Sequence, residues 1–321
     1  MKKIMLAGEP MGLFIAKEEG PLEAVSTFSA AVAGAEFNVA VGLSRLGHEV
    51  GYLTKLGNDP LGKRIVRLME ENAIATDLLS WTDDRPTGFM LKGKAKKGDP
   101  DIFYFRKNSA ASTISREDID KIDFSKYGIL HITGILPALS ETARDASFYL
   151  IQKAKENRTM ISFDPNIRPQ LWPNRETMVS IMNRIAEQSD YFLPGVKEAE
   201  IMMQSSSPEA IAEYYLSRGV KNVIVKIGKD GAYAANGKES FTCPTYQEER
   251  IVDTVGAGDG FAAGILSAVN EGLSLIDAVL RGNAIGTMQL QSEGDNEGLP
   301  TRVKLNAFMR THALKKTGGG K

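Results

Sequence analysis

The chain has 321 residues, which is enough for one large α/β domain or two smaller domains. Its composition, 42% hydrophobic and 25% charged, excludes a mainly disordered chain. The net charge of −1 gives no basic excess to neutralise a phosphate backbone, so nucleic acid is not an expected partner. The single cysteine, Cys243, excludes an internal disulfide framework and a Cys-rich zinc site.

The hydrophobic runs of the sequence are all short. None approaches the 18 uninterrupted apolar residues that indicate a transmembrane helix, so we expect no membrane partner. The first run is broken by Gly8-Glu9-Pro10, which makes it too short for the core of a signal peptide. We therefore expect a cytoplasmic protein.

The first part of the chain alternates core elements with two hairpins. Apolar spacing predicts strands at 3–8 and 50–56 and helices at 36–47 and 61–73. Residues 11–32 form a predicted hairpin, and residues 85–110 form a second one. We expect the two hairpins to join as a small sheet outside the main core.

From about residue 128 the pattern changes to a regular strand–helix repeat, which indicates βαβ units. The predicted strands are 128–133, 160–164, 190–194, 222–227, 231–235 and 239–243, and the predicted helices are 141–156, 174–188, 197–203, 208–219, 257–271 and 274–291. The sequence thus predicts an α/β fold with a mostly parallel, Rossmann-like sheet, helices on both faces and a small β-sheet lid. We expect one domain over 1–314, with lid strands from 11–32 and 85–110, and a frayed tail at 315–321.

The strongest chemical signal is the segment Asp253-Thr254-Val255-Gly256-Ala257-Gly258-Asp259. Small residues let backbone N–H groups approach an anion, and the N-terminus of a helix adds unpaired donors and a positive partial charge. Asp259 then falls in the first helical turn, where a carboxylate can take a proton from a hydroxyl nucleophile. The alternative interpretation is a Gly-rich turn with an Asp helix cap.

This segment, continued as DTVGAGDGFAAG, resembles the C-terminal signature of the PfkB, or ribokinase-like, family of carbohydrate kinases. The resemblance covers nearly the whole chain, and three further motifs carry it in the family's order: Gly34-Ala35-Glu36-Phe37-Asn38, Gly57-Asn58-Asp59-Pro60-Leu61-Gly62 and Val225-Lys226-Ile227-Gly228-Lys229-Asp230-Gly231. It implies a ribokinase-like fold and ATP-dependent phosphorylation of a sugar hydroxyl with Mg²⁺. It also implies that Asp259 is the catalytic base and that the amides of Gly256, Ala257 and Gly258 form an anion hole.

The resemblance assigns further residues to the two ligands. Gly34, Ala35 and Asn38 are expected to hold the sugar, although many members have Gly-Gly where this chain has Gly34-Ala35. The nucleotide side is expected to include Lys226, Gly228, Gly231, Gly256, Gly258 and Asn283. For Asn283, packing inside the last long helix is an equally good interpretation.

The metal assignments are less complete. The family often has an N-x-x-E motif near magnesium, and here the stretch is Gly195-Val196-Lys197-Glu198, which keeps Glu198 and lacks the Asn. Glu198 is therefore either a magnesium residue or an acid at a helix start. A potassium ion beside Asp253 and Thr254 is a further option, because several relatives use potassium.

The substrate is indicated by two arginines. Arg168 follows a predicted strand in DPNIRPQLW, and Tyr104 and Arg106 share one face of a lid strand, with Phe89 expected on the same face. Two arginines aimed at one site favour a carboxylate. These stretches resemble the 2-keto-3-deoxygluconate kinases of the family, which implies that Arg168 binds the carboxylate and that Tyr104 and Arg106 bind hydroxyl or keto oxygens. The product would be 2-keto-3-deoxy-6-phosphogluconate.

Several alternatives stay open. Arg106 fits an exposed lid charge, and Arg168 fits a loop salt bridge or the ATP γ-phosphate. Fructokinase-like members carry a similar D-x-N-x-R-x-x-L-W stretch, so a fructokinase or a ribokinase-type kinase of a neutral sugar is the main competitor. A non-catalytic sugar-binding protein of the same fold is a third hypothesis, and the intact Asp259 motif argues against it.

Two other patterns bear on function. The segment 57–64, GNDPLGKR, imitates a phosphate-binding P-loop, but Arg64 replaces the hydroxyl residue that would bind Mg²⁺ and Pro60 removes a backbone donor. The apolar face of the lid predicts a homo-oligomer that associates through the lid, as relatives commonly do.

Overall fold

The computed structural model describes residues 2–94, 101–247, 251–292 and 294–315. The strands are β1 (Lys3–Ala7), β2 (Met11–Ala16), β3 (Phe28–Ala33), β4 (Val50–Gly57), β5 (Ile74–Ala75), β6 (Leu79–Thr82), β7 (Phe89–Lys92), β8 (Ile102–Phe105), β9 (Tyr127–Thr133), β10 (Met160–Asp164), β11 (Tyr191–Phe192), β12 (Asn222–Lys226), β13 (Ala232–Asn236) and β14 (Ser240–Cys243). The helices are α1 (Ala35–Arg45), α2 (Pro60–Glu71), α3 (Arg116–Asp120), α4 (Leu136–Leu139), α5 (Glu141–Glu156), α6 (Arg175–Ala186), α7 (Val196–Met203), α8 (Pro208–Leu216), α9 (Ala257–Asn270), α10 (Leu275–Gln289) and α11 (Arg302–Thr311).

The main sheet has the strand order β14-β13-β12-β11-β10-β9-β1-β4-β5, and β6 also pairs with β4. All pairings from β12 to β5 are parallel, and the last two strands, β13 and β14, are antiparallel. Strand β1 lies in the interior of the sheet between β9 and β4, and its residues from Ile4 to Ala7 are fully buried because helices cover the sheet on both sides. The predicted mostly parallel sheet is confirmed.

Two apolar cores fill the space between this sheet and its helices. One includes Leu150 of α5, Met182 of α6 and Tyr215 of α8. The other includes Leu266 of α9 and Ile285 of α10. The expected helices on both faces of the sheet are therefore present.

The lid sheet is formed by β2, β3, β7 and β8, in the order β3-β2-β7-β8. Each hairpin is antiparallel, and the two hairpins are joined by parallel pairing of β2 with β7. The prediction that residues 11–32 and 85–110 build one small sheet is confirmed. The turn expected between β7 and β8 lies outside the described residues.

The two faces of the lid sheet have different surroundings. Tyr104 lies opposite Met90 in the β7–β8 pair, and both face the interior cleft of the molecule. Phe89 lies opposite Phe105, and their rings stack with centroids 4.5 Å apart on the outer face. Because neighbouring residues of a strand point to opposite faces, Phe89 cannot share the face of Tyr104. The prediction that Phe89 lines the same face as Tyr104 was wrong, because Phe89 points to the outer face and its neighbour Met90 points to the cleft.

The remaining differences concern element ends and five elements that were not predicted: β5, β6, α3, α4 and α11. Helix α11 was not predicted, although the Thr301 hydroxyl caps its start by accepting from the Lys304 amide. Strand β11 is shorter than the predicted 190–194, and α8 ends at Leu216 rather than at 219. Lys315 is not frayed, since its amide donates to the Thr245 carbonyl at 2.8 Å. The rest of the predicted tail, 316–321, lies outside the described residues.

Candidate active site

A cleft of about 480 Å³ separates the lid sheet from the carboxyl ends of the parallel strands. This is where open α/β sheets bind ligands. The residues that line it are Glu9, Met11, Gly34, Ala35, Asn38, Met90, Ile102, Tyr104, Arg106, Ile135, Asp164, Asn166, Arg168, Glu198, Lys226, Thr254, Val255, Gly256, Gly258, Asp259 and Asp295. The structure thus brings together eleven of the predicted site residues: Gly34, Ala35, Asn38, Tyr104, Arg106, Arg168, Glu198, Lys226, Gly256, Gly258 and Asp259.

The N-terminus of α9 opens into this cleft. Gly256 is the N-cap residue, and its φ of 78° is a left-handed conformation that glycine adopts without strain. A Cβ at this position would also collide with the Asp295 carbonyl oxygen. Two independent reasons, the backbone conformation and the lack of space for a Cβ, therefore require glycine at position 256, where the helix begins. The first amides of α9 have no acceptor within the helix, as at any helix N-terminus.

Asp259 lies in the first turn of α9 and is a half-buried acid of the cleft. Its Oδ2 accepts a hydrogen bond from Asn38 Nδ2 at 2.8 Å. Burial raises the pKa of Asp259 to about 8, while the Asn38 hydrogen bond and the charge of Arg168 oppose the rise. A carboxyl group whose pKa lies near the working pH can exchange a proton with a bound hydroxyl group.

Lys226, at the end of β12, lies between two carboxylates. Its Nζ is 2.6 Å from Asp164 Oδ2 and 3.9 Å from Glu198 Oε2. Burial would lower the pKa of Lys226, but the two carboxylates outweigh burial and raise it. The lysine therefore keeps its positive charge in the cleft.

Glu198 has a structural task and also faces the cleft. Its two carboxylate oxygens accept from the Gly195 amide at 2.8 Å and from the Ile167 amide at 3.0 Å. Burial raises the pKa of Glu198, and the Lys226 charge opposes that rise. The glutamate thus caps α7 and holds the segment that leads to Arg168.

The carboxylates of the cleft are compatible with magnesium. Within the described ranges, no three or more His, Cys, Asp or Glu side chains form a metal-binding group. A nucleotide-bound Mg²⁺ needs only one or two protein carboxylates, because phosphates and waters supply the other oxygens. Glu198 and Asp164 both line the cleft and offer such oxygens.

Arg168 and Arg106 differ sharply in their partners. Arg168 is half-buried, and its Nη1 donates to the Ile167 carbonyl at 3.0 Å. In the described parts of the chain, no acidic side chain lies within salt-bridge distance of it. Arg106 is buried, and its Nε donates to Glu9 Oε2 at 2.7 Å. Arg106 is thus neither an exposed lid charge nor an unpaired cation.

Three predicted nucleotide residues do not line this cleft. Gly228 and Gly231 bound the turn from β12 to β13, both at positive φ, and a Cβ on Gly231 would collide with the Cys243 carbonyl oxygen. The Asn283 amide donates to the carbonyls of Cys243 and Pro244, each at 3.1 Å. Asn283 therefore has the packing contacts that were the alternative interpretation. Ala257 is also not among the residues that line the cleft, and only its backbone amide was expected to take part, as one donor of the anion hole.

Sequence reasoning missed four charged residues of this region. Glu9 pairs with Arg106 and accepts from the Ser109 hydroxyl, and Asp164 pairs with Lys226. Lys92 pairs with Asp253, and Asp295 lines the cleft. Glu9 and Asp164 had a detectable signal, since each ends or closely follows a buried parallel strand. Lys92 and Asp295 had none, because only the folded chain brings them to the cleft.

Comparisons with known proteins agree with this geometry. The profile of the pfkB family carbohydrate kinases matches residues 1–302. The chain is 47% identical over 303 residues to a 2-dehydro-3-deoxygluconokinase of Bacillus subtilis (strain 168), covering 94% of each chain. It is 28% identical over 297 residues to a 5-dehydro-2-deoxygluconokinase of Geobacillus kaustophilus, covering 91% of this chain and 88% of that one.

A solved structure is similar over the same length. It is a putative ribokinase II of E. coli in complex with ATP and Mg²⁺, with a TM-score of 0.89 and 26% identity, covering 97% of this chain and all of that one (100%). The described residues include no helix that is long and apolar enough to span a membrane.

Proposed function

The chain belongs to the pfkB family of carbohydrate kinases, and from this premise we propose that it transfers the γ-phosphoryl group of ATP to the terminal hydroxyl of 2-keto-3-deoxygluconate. The product is 2-keto-3-deoxy-6-phosphogluconate, and ADP is released. The observation that carries the choice of sugar is Arg168, a guanidinium that faces the cleft without a carboxylate partner in the described chain. The relative at 47% identity supports the same substrate.

The proposed reaction is an in-line transfer with Asp259 as general base. The carboxylate of Asp259 accepts the proton of the terminal hydroxyl group while the hydroxyl oxygen bonds to the γ-phosphorus of ATP. The bond from that phosphorus to the bridging oxygen of ADP breaks in the same step. Asn38 keeps Asp259 oriented through its hydrogen bond at 2.8 Å.

The charge of the transferred group is stabilised at the N-terminus of α9. The amides of Gly256, Ala257 and Gly258 point toward the phosphoryl oxygens, and the helix dipole adds to their effect. Lys226 contributes a fixed positive charge at the same end of the cleft. Glu198 and Asp164 are the residues that would hold Mg²⁺, which, when bound with ATP, neutralises phosphate charge. The roles of Gly228, Gly231 and Asn283 toward the nucleotide remain predictions from the family resemblance.

The sugar lies between the core and the lid. Arg168 binds its carboxylate, because the planar guanidinium matches both carboxylate oxygens. Asn38 and the backbone of Gly34 and Ala35 hold hydroxyl groups beside the base. Tyr104 and those N–H groups of Arg106 that Glu9 leaves available bind the keto and hydroxyl oxygens.

Two other substrate classes compete with this assignment. Neutral sugars such as fructose and ribose fit if Arg168 contacts the ATP γ-phosphate instead of a carboxylate. The isomeric acid 5-keto-2-deoxygluconate also carries a carboxylate and is the substrate named for the relative at 28% identity. Only a direct comparison of substrates separates these possibilities.

The test is an ADP-release assay with Mg-ATP on 2-keto-3-deoxygluconate, 5-keto-2-deoxygluconate, fructose and ribose. The wild type is expected to prefer 2-keto-3-deoxygluconate. Arg168→Ala should reduce kcat/KM for this acid by about 10–100-fold, the usual range for a lost charged hydrogen bond. Its effect on residual fructose phosphorylation should be much smaller.

The matched control is Arg175→Ala, which removes an exposed arginine at the start of α6. It should leave every rate near the wild-type value. Equal losses on acid and neutral sugars in Arg168→Ala would assign Arg168 to phosphate. A wild-type preference for fructose or ribose would overturn the choice of an acid substrate and leave the kinase chemistry intact.

The outer face of the lid sheet supports the proposed association of two copies of this chain. Phe103 and Phe105 are 58% and 45% exposed there, next to the rings of Phe14 and Phe89. Such a group of exposed rings is typical of an interaction surface. We further propose that residues 1–314 act as one kinase domain with the lid inserted in it.

A further inference from the structure

Lys92 is a buried lysine that the mechanism above does not use. It ends β7 on the inner face of the lid sheet, and only 4% of its surface is exposed. Its Nζ lies 2.7 Å from Asp253 Oδ2 and 3.6 Å from Asp295 Oδ1. A lid residue thereby contacts two acids on the opposite wall of the cleft.

Both acids are directly connected to the phosphoryl-binding turn. Asp253 Oδ1 accepts from the Val255 amide at 3.1 Å, one residue before Gly256. The Asp295 carbonyl oxygen packs against Gly256 so closely that no Cβ would fit. The next residue, Asn296, donates to Asn38 Oδ1 at 3.1 Å, and Asn38 in turn donates to Asp259. The position of Lys92 is therefore linked to both the anion-binding amides and the base.

The charges show what Lys92 supplies. Without its ammonium group, the buried carboxylate of Asp295 and the half-buried carboxylate of Asp253 would lie next to the place where phosphate must bind, and like charges repel strongly where water is scarce. Burial already raises the pKa of Asp295 to about 6, and the Lys92 charge opposes that rise. The acids of this region are thus tolerable only with a cation among them.

A potassium ion beside Asp253, the option left open by the family resemblance, does not fit this arrangement. The Asp253 oxygen that would ligate such an ion is already at salt-bridge distance from Lys92.

We propose that Lys92 is a positioning residue whose ammonium group is the built-in monovalent cation of segment 251–256, so that the reaction requires no potassium ion and the lid sheet is fastened to the phosphoryl-binding turn. The inference rests on the kinase activity proposed above but not on the identity of the sugar.

The test measures kcat and KM for ATP in KCl, NaCl and tetramethylammonium chloride at equal ionic strength. Wild type should give the same values in all three salts. Lys92→Met should lose about 10-fold or more in kcat/KM in tetramethylammonium chloride and recover part of it in KCl, because K⁺ can enter the vacated position. Lys92→Arg, which keeps the charge, should retain more activity than Lys92→Met.

The matched control is Lys94→Met, which removes the exposed lysine two residues along the chain and should behave as wild type. If Lys92→Met does not fold, the double variant Lys92→Met with Asp295→Asn removes one carboxylate together with the ammonium group and is assayed instead. Dependence of either variant on K⁺ supports the inference. A wild-type requirement for K⁺, or wild-type kinetics of the variant in all salts, overturns it. A wild type that phosphorylates no sugar would instead contradict the proposed function.

Discussion

The two walls of the cleft differ in how their charges are used. On the core wall, Asp259 is half-buried and has no cationic partner at salt-bridge distance in the described chain, and Arg168 faces the cleft without a carboxylate. On the lid wall, Arg106 is neutralised by Glu9, and the neighbouring Met90 and Ile102 are apolar. The core wall therefore carries the charged groups that are free to act on the substrate. The lid wall contributes a paired charge and apolar side chains that enclose it.

The two arginines express this difference most clearly. Both were expected to contact the substrate directly, because the sequence does not show which acidic side chain lies next to an arginine in the folded protein. In the folded chain, Glu9 neutralises the charge of Arg106 and leaves only its remaining N–H groups for the substrate, while Arg168 keeps an unneutralised guanidinium. Pairing decides how strongly a cation attracts a carboxylate of the substrate, and pairing depends on tertiary contacts.

The largest expected effect is on the core wall. Asp259→Asn should lower kcat by about 10²–10⁴ and leave the KM of the sugar nearly unchanged, because the variant cannot accept the proton. The matched control is Asp277→Asn, which changes the exposed acid in the first turn of α10. Near-normal turnover of Asp259→Asn would remove the proposed base.

The same variant should also change stability in a defined direction. Burial raises the pKa of Asp259 from 3.8 to about 8, so the folded state binds the proton more tightly than the unfolded state. The free energy of unfolding contributed by this group therefore falls as pH rises from about 4 to 8. Asp259→Asn should raise Tm relative to wild type, and by more at pH 9 than at pH 6.

On the lid wall, stability rather than turnover should respond first. Glu9→Gln leaves the buried guanidinium of Arg106 without its counter-charge, which is expected to cost about 3–5 kcal/mol of unfolding free energy. Denaturant unfolding of Glu9→Gln, compared with Arg168→Ala, checks this. If Arg168→Ala is destabilised as much as Glu9→Gln, the contrast between the two walls is incorrect.

Between its plateau at high pH and pH 7, kcat/KM should fall about tenfold. With a base whose pKa is about 8 in the free enzyme, kcat/KM should rise with pH and reach about one-tenth of its plateau near pH 7. Because the charge of Arg168 lowers this pKa, the rising limb of Arg168→Ala should move to higher pH. A limb that stays in place would show that the two groups do not interact.

The smallest expected change in activity concerns the outer face of the lid sheet. Replacing Phe103 and Phe105 by Ser should shift the protein toward the monomer, because two exposed rings would be lost from the proposed contact between copies. Light scattering coupled to size-exclusion chromatography measures the mass. A wild-type protein that is already monomeric at micromolar concentration would contradict the proposed association.

Much of the fold followed from local sequence patterns. Strands such as β9 and helices such as α5 have long, regular apolar spacing, and their existence could be predicted within one or two residues. Helix α11 was missed because its apolar face is narrow, with only Leu305 and Phe308 buried. Phe89 was placed on the wrong face because register in a strand changes side with each residue.

The positions of the site residues could be predicted only where those residues belong to one continuous sequence motif. Asp259 and its neighbours stand in a single segment, so their placement at a helix N-terminus could be read from spacing. The ion pairs Arg106–Glu9 and Lys92–Asp253 join residues from distant segments. No spacing rule relates such partners, because their distance is fixed only by the packing of the lid on the core.

The parallel pairing of β2 with β7 has a consequence for folding. The pairing of Gly12 with Phe89 joins strands that are separated in the chain by β3, α1, β4, α2, β5 and β6. Closing so long a loop costs conformational entropy until the intervening elements have docked. The pairing of β2 with β7 is therefore a contact between residues far apart in the chain, and such contacts form slowly. The lid sheet should therefore complete late, after the core around β1 and β4. Its central strands should show weaker amide-exchange protection than β1, and the lid should not fold when excised.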